Sequence, residues 1–82
     1  MAEDAIYRIL ARNLRAARDA AGMTQEDLAF ATGFGRDYIS DIENAKAAVN
    51  LARLSALAAA AGTTPHALIT PGAGAKKPNP PR

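Results

Sequence analysis

Residues 23–44 read Met23-Thr24-Gln25-Glu26-Asp27-Leu28-Ala29-Phe30-Ala31-Thr32-Gly33-Phe34-Gly35-Arg36-Asp37-Tyr38-Ile39-Ser40-Asp41-Ile42-Glu43-Asn44, and the fold turns on how this stretch is punctuated. Thr24 followed three residues later by Asp27 is a capping-box-like helix start, with acids in the first turn facing the positive end of the helix dipole. A short helix is therefore expected over residues 25–31. Thr32-Gly33-Phe34-Gly35 interrupts it: Gly33 can adopt the positive φ that ends one helix, and Gly35 can open the next. A further helix is expected over residues 36–43. Two short helices that meet steeply across a tight turn need a small residue where their backbones approach, and Ala29 and Gly33 meet that need. Met23 and Leu28 on one side, with Ile39 and Ile42 on the other, supply the shared apolar seam. Because Ile39 and Ile42 lie three apart and fix the inward face, Asp37, Ser40, Asp41 and Asn44 must point outward, with Arg36 at the N-terminal edge.

Working toward the N-terminus, Ile6, Leu10, Leu14, Ala17 and Ala21 recur at the period of one buried helical face, which predicts a first helix over residues 4–21 closed by Gly22. Arg8, Arg12 and Arg15 fall on its other face. Toward the C-terminus, residues 44–49 read as a loop, and Asn50 is a good cap for a fourth helix whose buried stripe is Leu51, Leu54, Leu57, Ala58 and Ala61. Gly62 ends it. Thr64-Pro65 then places a cap before a proline at the first helical position, opening a short fifth helix with Ala67, Leu68 and Ile69. No stretch alternates as a strand would. The expected fold is all-α, a compact five-helix bundle over residues 1–70, followed by a flexible Pro/Gly tail over residues 71–82.

Composition narrows the function. The 82 residues allow one domain and leave no room for a second catalytic or ligand-sensing one. There is no cysteine, so neither disulfides nor a thiolate metal site can supplement a core that is rich in alanine. His66 stands alone, without a partner at ligand spacing, and no metal or other cofactor is expected. No pair of acids combines with a base and a nucleophile, so no catalytic residue and no enzyme activity are expected. The acidic N-terminus is the wrong pattern for a secretory signal, and no apolar run approaches the ~18 residues of a membrane span, so the expected compartment is the cytoplasm. Net charge is +2, from ten Lys/Arg and eight Asp/Glu. Lys76, Lys77 and Arg82 lie in the tail, however, so residues 1–70 carry seven cations against eight acids. Total charge does not decide the function, but its distribution is uneven: every acid lies at or before Glu43, and Lys46 and Arg53 follow with none.

The run Met23-Thr24-Gln25-Glu26-Asp27-Leu28-Ala29, then Gly33, then Arg36-Asp37-Tyr38-Ile39-Ser40-Asp41-Ile42-Glu43-Asn44 resembles the phage-repressor/Cro-type (Xre-like) helix-turn-helix family over about residues 8–70. Within it, the chain is most similar to small stand-alone regulators such as restriction-modification controller proteins and short phage-type repressors. The resemblance implies a homodimer that binds double-stranded DNA on a palindromic operator, with the third helix in the major groove. Position by position, Arg36, Asp37, Ser40 and Asp41 match base-reading residues. Thr24 and Gln25 match the phosphate clamp at the start of the second helix, and Asn44 and Lys46 match phosphate contacts after the third. Arg15, near the start of the second helix, and Tyr38, on the flank of the third, are further expected phosphate contacts. Arg18 and Glu43 occupy the places of a partly buried ion pair. The expected dimer interface is the fifth helix and the loop before it, with Pro65, Leu68 and Ile69. No small-molecule ligand and no membrane partner are expected.

The sequence also departs from the family's pattern. Gly35 stands where relatives place a hydroxyl cap, and Ala45, Ala47, Ala48 and Val49 replace a stretch that in relatives is glycine, basic and proline. Asp37 and Asp41 are unusual beside a phosphate backbone, although a carboxylate can accept from cytosine N4. The alternative reading is an interaction module of the same fold, antitoxin-like or an adaptor, that chiefly binds another protein.

Overall fold

The structure is a computed structural model that describes residues 2–72. It contains five helices in chain order: α1 (Ala2–Ala20), α2 (Gln25–Thr32), α3 (Arg36–Glu43), α4 (Leu51–Ala61) and α5 (Pro65–Leu68). No strand occurs among the described residues, in agreement with the all-α expectation. The tail expected over residues 71–82 lies, beyond Gly72, outside the described residues.

The helix boundaries follow from local chemistry. Thr24 Oγ1 accepts from the Asp27 N–H at 3.0 Å while the Asp27 carboxylate accepts from the Thr24 N–H at 2.9 Å, a reciprocal capping box that satisfies two otherwise orphaned donors. Asn50 caps α4 through the Arg53 N–H at 2.8 Å, and Thr64 caps α5 through the Ala67 N–H at 3.1 Å, with Pro65 at the first turn. Gly35 begins α3 with no side-chain cap. The α2–α3 turn is set by Gly33 at φ 77°.

Three helices end in the same way. After α1 the Met23 N–H donates to Arg18 O and the Gly22 N–H to Asp19 O; after α4 the Thr63 N–H donates to Ala58 O and the Gly62 N–H to Ala59 O. After α3 the Lys46 N–H donates to Asp41 O at 2.8 Å and the Ala45 N–H to Ile42 O at 3.1 Å. This paired pattern is the Schellman motif, which needs a left-handed residue at the turn. Glycine supplies it after α1 and α4, but after α3 it is Ala45, at φ 59°.

α1 packs against α3, α4 and α5, and α2 against α3 and α4. Leu14, Leu28, Ile39, Ile42, Leu57 and Leu68 are fully buried where these helices meet, each worth about 1.5–3 kcal/mol of apolar burial. Alanines close the gaps, among them Ala17, Ala29, Ala58 and Ala61.

Three expectations are corrected. Leu51, counted in the buried stripe of α4, is 83% exposed; it is the first residue of the helix, and the α4 core begins at Leu54. Ile6 and Ala21 likewise lie outside the core at the ends of the α1 stripe. Leu68, expected at a dimer interface, is 0% exposed within the single chain and belongs to its core. Conversely, Asn13 was not expected inside. It is buried, and its amide lies 2.9 Å from Leu68 O, 2.8 Å from Thr70 O and 3.1 Å from Ala67 O, tying α1 to the carbonyl end of α5.

Candidate nucleic-acid interface

The seam of Ile39 and Ile42 turns one face of α3 into the bundle, and the opposite face is polar. Arg36, Asp37 and Asp41 are exposed on it, Asn44 is exposed at its end, and Ser40 is half-buried between them. The four expected base-reading residues thus share one accessible helical surface. Asn44 Nδ2 donates to Ser40 Oγ at 3.4 Å, a long contact that leaves both groups free to turn elsewhere. The Arg36 guanidinium lies 3.6 Å from the Glu26 carboxylate, with both side chains more than half exposed. Such a pair is weak in water and can be exchanged for another acceptor.

At the other end of α3, Glu43 gathers several expected residues. Its side chain is fully buried and receives Arg18 in a two-pronged contact, Nε to Oε2 at 2.7 Å and Nη2 to Oε1 at 3.0 Å. Gln25 Nε2 donates to Oε1 at 3.2 Å, and Arg15 Nε approaches the same oxygen at 3.5 Å. Arg18 also donates from Nη1 to Met23 O at 2.8 Å, in the link between α1 and α2. Burial pushes the Glu43 carboxyl toward its neutral form. Hydrogen bonds from Arg18 and Gln25, with the charges of Arg18 and Arg15, outweigh that and hold it below the usual carboxylate range. The Glu43 hydrogen bond correspondingly raises the Arg18 guanidinium.

This hub brings Arg15 and the start of α2 beside the end of α3, where Arg15, Glu43 and Asn44 line one shallow groove. Thr24 is exposed beside Gln25, its hydroxyl oxygen accepting the capping bond. Lys46 is exposed just past the α3 turn and makes no ion pair among the described residues. Arg15 and Gln25 thus meet the C-terminal end of α3 through Glu43, and Asn44 and Lys46 follow that end in the chain.

The Tyr38 hydroxyl donates to Ala48 O at 3.1 Å, so its only proton is engaged within the chain. The ring meets Phe34 edge-on at 5.7 Å, and the Arg53 guanidinium lies 5.3 Å over it. Arg53 is, with Lys46, one of the two Lys/Arg in residues 44–70, which follow the last acid, and its contact with an aromatic fifteen residues away shows in no local sequence pattern. Pro65 and Ile69 are exposed on and just after α5, Ile69 by 39%. Among the described residues no group of His, Asp and Glu is arranged to hold a metal, and no helix is long and apolar enough to cross a membrane.

The model of the family described as helix-turn-helix matches residues 14–68. The control protein C.SmaI from Serratia marcescens is 38% identical over 65 residues, which cover 79% of this chain and 77% of that one. A hypothetical transcription factor from Neisseria meningitidis is 33% identical over 69 residues, 84% of this chain; the match spans 65% of the length of that relative. Among solved structures, the hypothetical transcription factor NHTF from Neisseria superposes with a TM-score of 0.79 at 33% identity, covering 82% of this chain and 77% of that one. The restriction-modification controller protein C.AhdI from Aeromonas hydrophila superposes with a TM-score of 0.72 at 34% identity, covering 76% and 94%. The match spans the capped α2, the Gly33 turn and the outward face of α3, and the chain belongs to the helix-turn-helix family of DNA-binding regulators.

Proposed function

We propose that this chain is a sequence-specific transcription regulator of the controller type, which binds double-stranded DNA with α3 in the major groove. The observation that carries the reading is the α3 surface itself: Ile39 and Ile42 fix its inward side, and Arg36, Asp37, Ser40 and Asp41 occupy the outward side. Arg36 pairs with guanine O6 and N7, and a carboxylate on this face accepts from cytosine N4. Thr24, Gln25, Arg15, Asn44 and Lys46 hold phosphates on either side of the groove, which sets the register. The sequence similarity to controller proteins supports the same reading.

The regulator acts as a two-fold homodimer in the cytoplasm. One recognition helix reads only a few base pairs, too little to single out a site in a genome, whereas two copies square the discrimination. Pro65 and Ile69 form the self-contact, since Leu68 is spent on the core. Two α3 helices on one face of B-DNA require a palindromic site with half-site centres about 34–36 Å apart. A second reading, contact with another protein through α2, is favoured by Phe30, which is 91% exposed beside Glu26 and Asp27.

Selection of bound sequences from a random duplex library, followed by footprinting, tests the proposal. The expected result is one enriched palindrome protected over two adjacent major grooves. Recovery of the unselected library at every salt concentration would overturn the DNA reading and leave the protein-contact one.

A further inference from the structure

The exposed cations of the described residues differ in what stands beside them. Arg15 faces Glu43 and Arg36 faces Glu26, so part of the charge of each is already compensated. Arg53 is held by uncharged groups instead. Its guanidinium lies 5.3 Å over the Tyr38 ring, and Nη1 donates to Tyr38 Oη at 3.3 Å. Tyr38 is fixed in turn by its bond to Ala48 O and by the edge of Phe34. An aromatic face orients a guanidinium without neutralising it. The remaining guanidinium N–H groups meet no acceptor among the described residues, and no acid follows Glu43 in the sequence.

Phe34, Gly35, Tyr38 and Arg53 line one shallow pocket at the start of α3. Any DNA strand that passes the N-terminal edge of a groove-bound α3 runs beside it. A free arginine loses rotamer freedom when it takes a phosphate, and here that freedom is restricted before binding. We infer that Arg53 holds a DNA backbone phosphate and that Tyr38 is the residue that positions it. The inference rests on α3 being the recognition helix. It moves the phosphate contact expected of Tyr38 to its neighbour, because the tyrosine proton goes to Ala48 and the arginine fork remains open.

The test uses the full chain and the duplex that the wild type selects, with affinity measured by fluorescence anisotropy from about 50 to 200 mM salt. Arg53→Gln removes one phosphate contact from each protomer of the dimer and is expected to reduce the slope of log K against log salt by about 1.8, a salt response roughly 12-fold smaller across that range, with the selected sequence unchanged. Arg53→Lys keeps the slope, because the charge remains, but binds more weakly at each salt concentration because the fork is lost. Tyr38→Phe weakens binding in the wild-type background and has no further effect in the Arg53→Gln background, which separates positioning from a merely structural role. Circular dichroism verifies that each variant is folded. An unchanged slope in Arg53→Gln, or additive effects of the two substitutions, overturns the inference while leaving the DNA reading intact. A wild type that binds no duplex at all removes both.

Discussion

Arg18 of α1 and Glu43 of α3 form a two-pronged ion pair at 2.7 and 3.0 Å, with the carboxylate fully buried and the guanidinium side chain 12% exposed. The two residues lie 25 apart in sequence, and the pair joins α1 to the C-terminal end of α3. Breaking such a pair leaves an uncompensated charge behind, which costs about 3–5 kcal/mol. Arg18 keeps Met23 O and Asp19 when Glu43 is removed, so Glu43→Ala should cost about 3 kcal/mol, the low end of that range. Because the folded carboxyl titrates below its unfolded value, its stabilisation is complete above the usual carboxylate range, near pH 4.3, and is lost as pH falls through the folded value. Denaturant unfolding from pH 7 down to pH 3 should show wild type losing stability faster than Glu43→Gln. Equal pH slopes would mean that the pair does not hold Glu43 ionised.

Ala45 adopts φ 59° at the α3 terminus, where α1 and α4 use Gly22 and Gly62. A left-handed alanine costs roughly 1–2 kcal/mol, part of which glycine returns through its greater freedom in the unfolded chain. Ala45→Gly should therefore stabilise the domain by about 0.5–1 kcal/mol, raising the melting temperature by a few degrees. Ala45→Val should lower it, since a β-branched side chain suits this conformation less. A glycine variant that melts below wild type would show that the turn is not strained.

Pro65 of α5 and Ile69, just after it, are left for the proposed self-contact once Leu68 is assigned to the core. Ile69→Asp should leave the circular dichroism spectrum unchanged while weakening both dimerisation, seen by sedimentation, and operator binding. Leu68→Asp should instead unfold the domain, because it buries a charge with no partner. A dimer indifferent to Ile69→Asp would move the interface elsewhere, with Phe30 and Leu51 as the more exposed apolar candidates.

What could be read from the sequence sorts by range. Thr24 with Asp27, Asn50, Thr64 with Pro65, and Gly33 act over three or four residues, so their caps were visible and the helices began or ended within one or two residues of expectation. Leu51 fell in the right stripe but at the first helical position, where no neighbouring element covers it. Ala45 carries no glycine signal, and its left-handed turn shows only in the Schellman pair of bonds that closes α3. Asn13 bonds carbonyls 54–57 residues away; a polar amide one position from Leu14 on the buried face was its only trace. The Arg18 and Glu43 positions came from the family resemblance, since nothing local pairs residues on separate helices. Arg53 over Tyr38 required the fold.

Arg36 stands at the N-terminal edge of the outward α3 face, 57% exposed in its side chain and 3.6 Å from Glu26. The pair is solvent-screened, so neither Arg36→Ala nor Glu26→Gln should change the melting temperature by more than a degree or two. Their effects on DNA should be opposite in sign. Arg36→Ala removes a two-pronged guanine contact, which lowers specific affinity by about 1–3 kcal/mol and relaxes preference at one guanine per half-site. Glu26→Gln frees the guanidinium and removes a negative charge near the phosphates, so it should tighten binding at every sequence without altering which one is preferred. Selection from a random duplex library with each variant separates readout from electrostatics. An Arg36→Ala variant that recovers the wild-type site with every base equally enforced would remove Arg36 from the reading face.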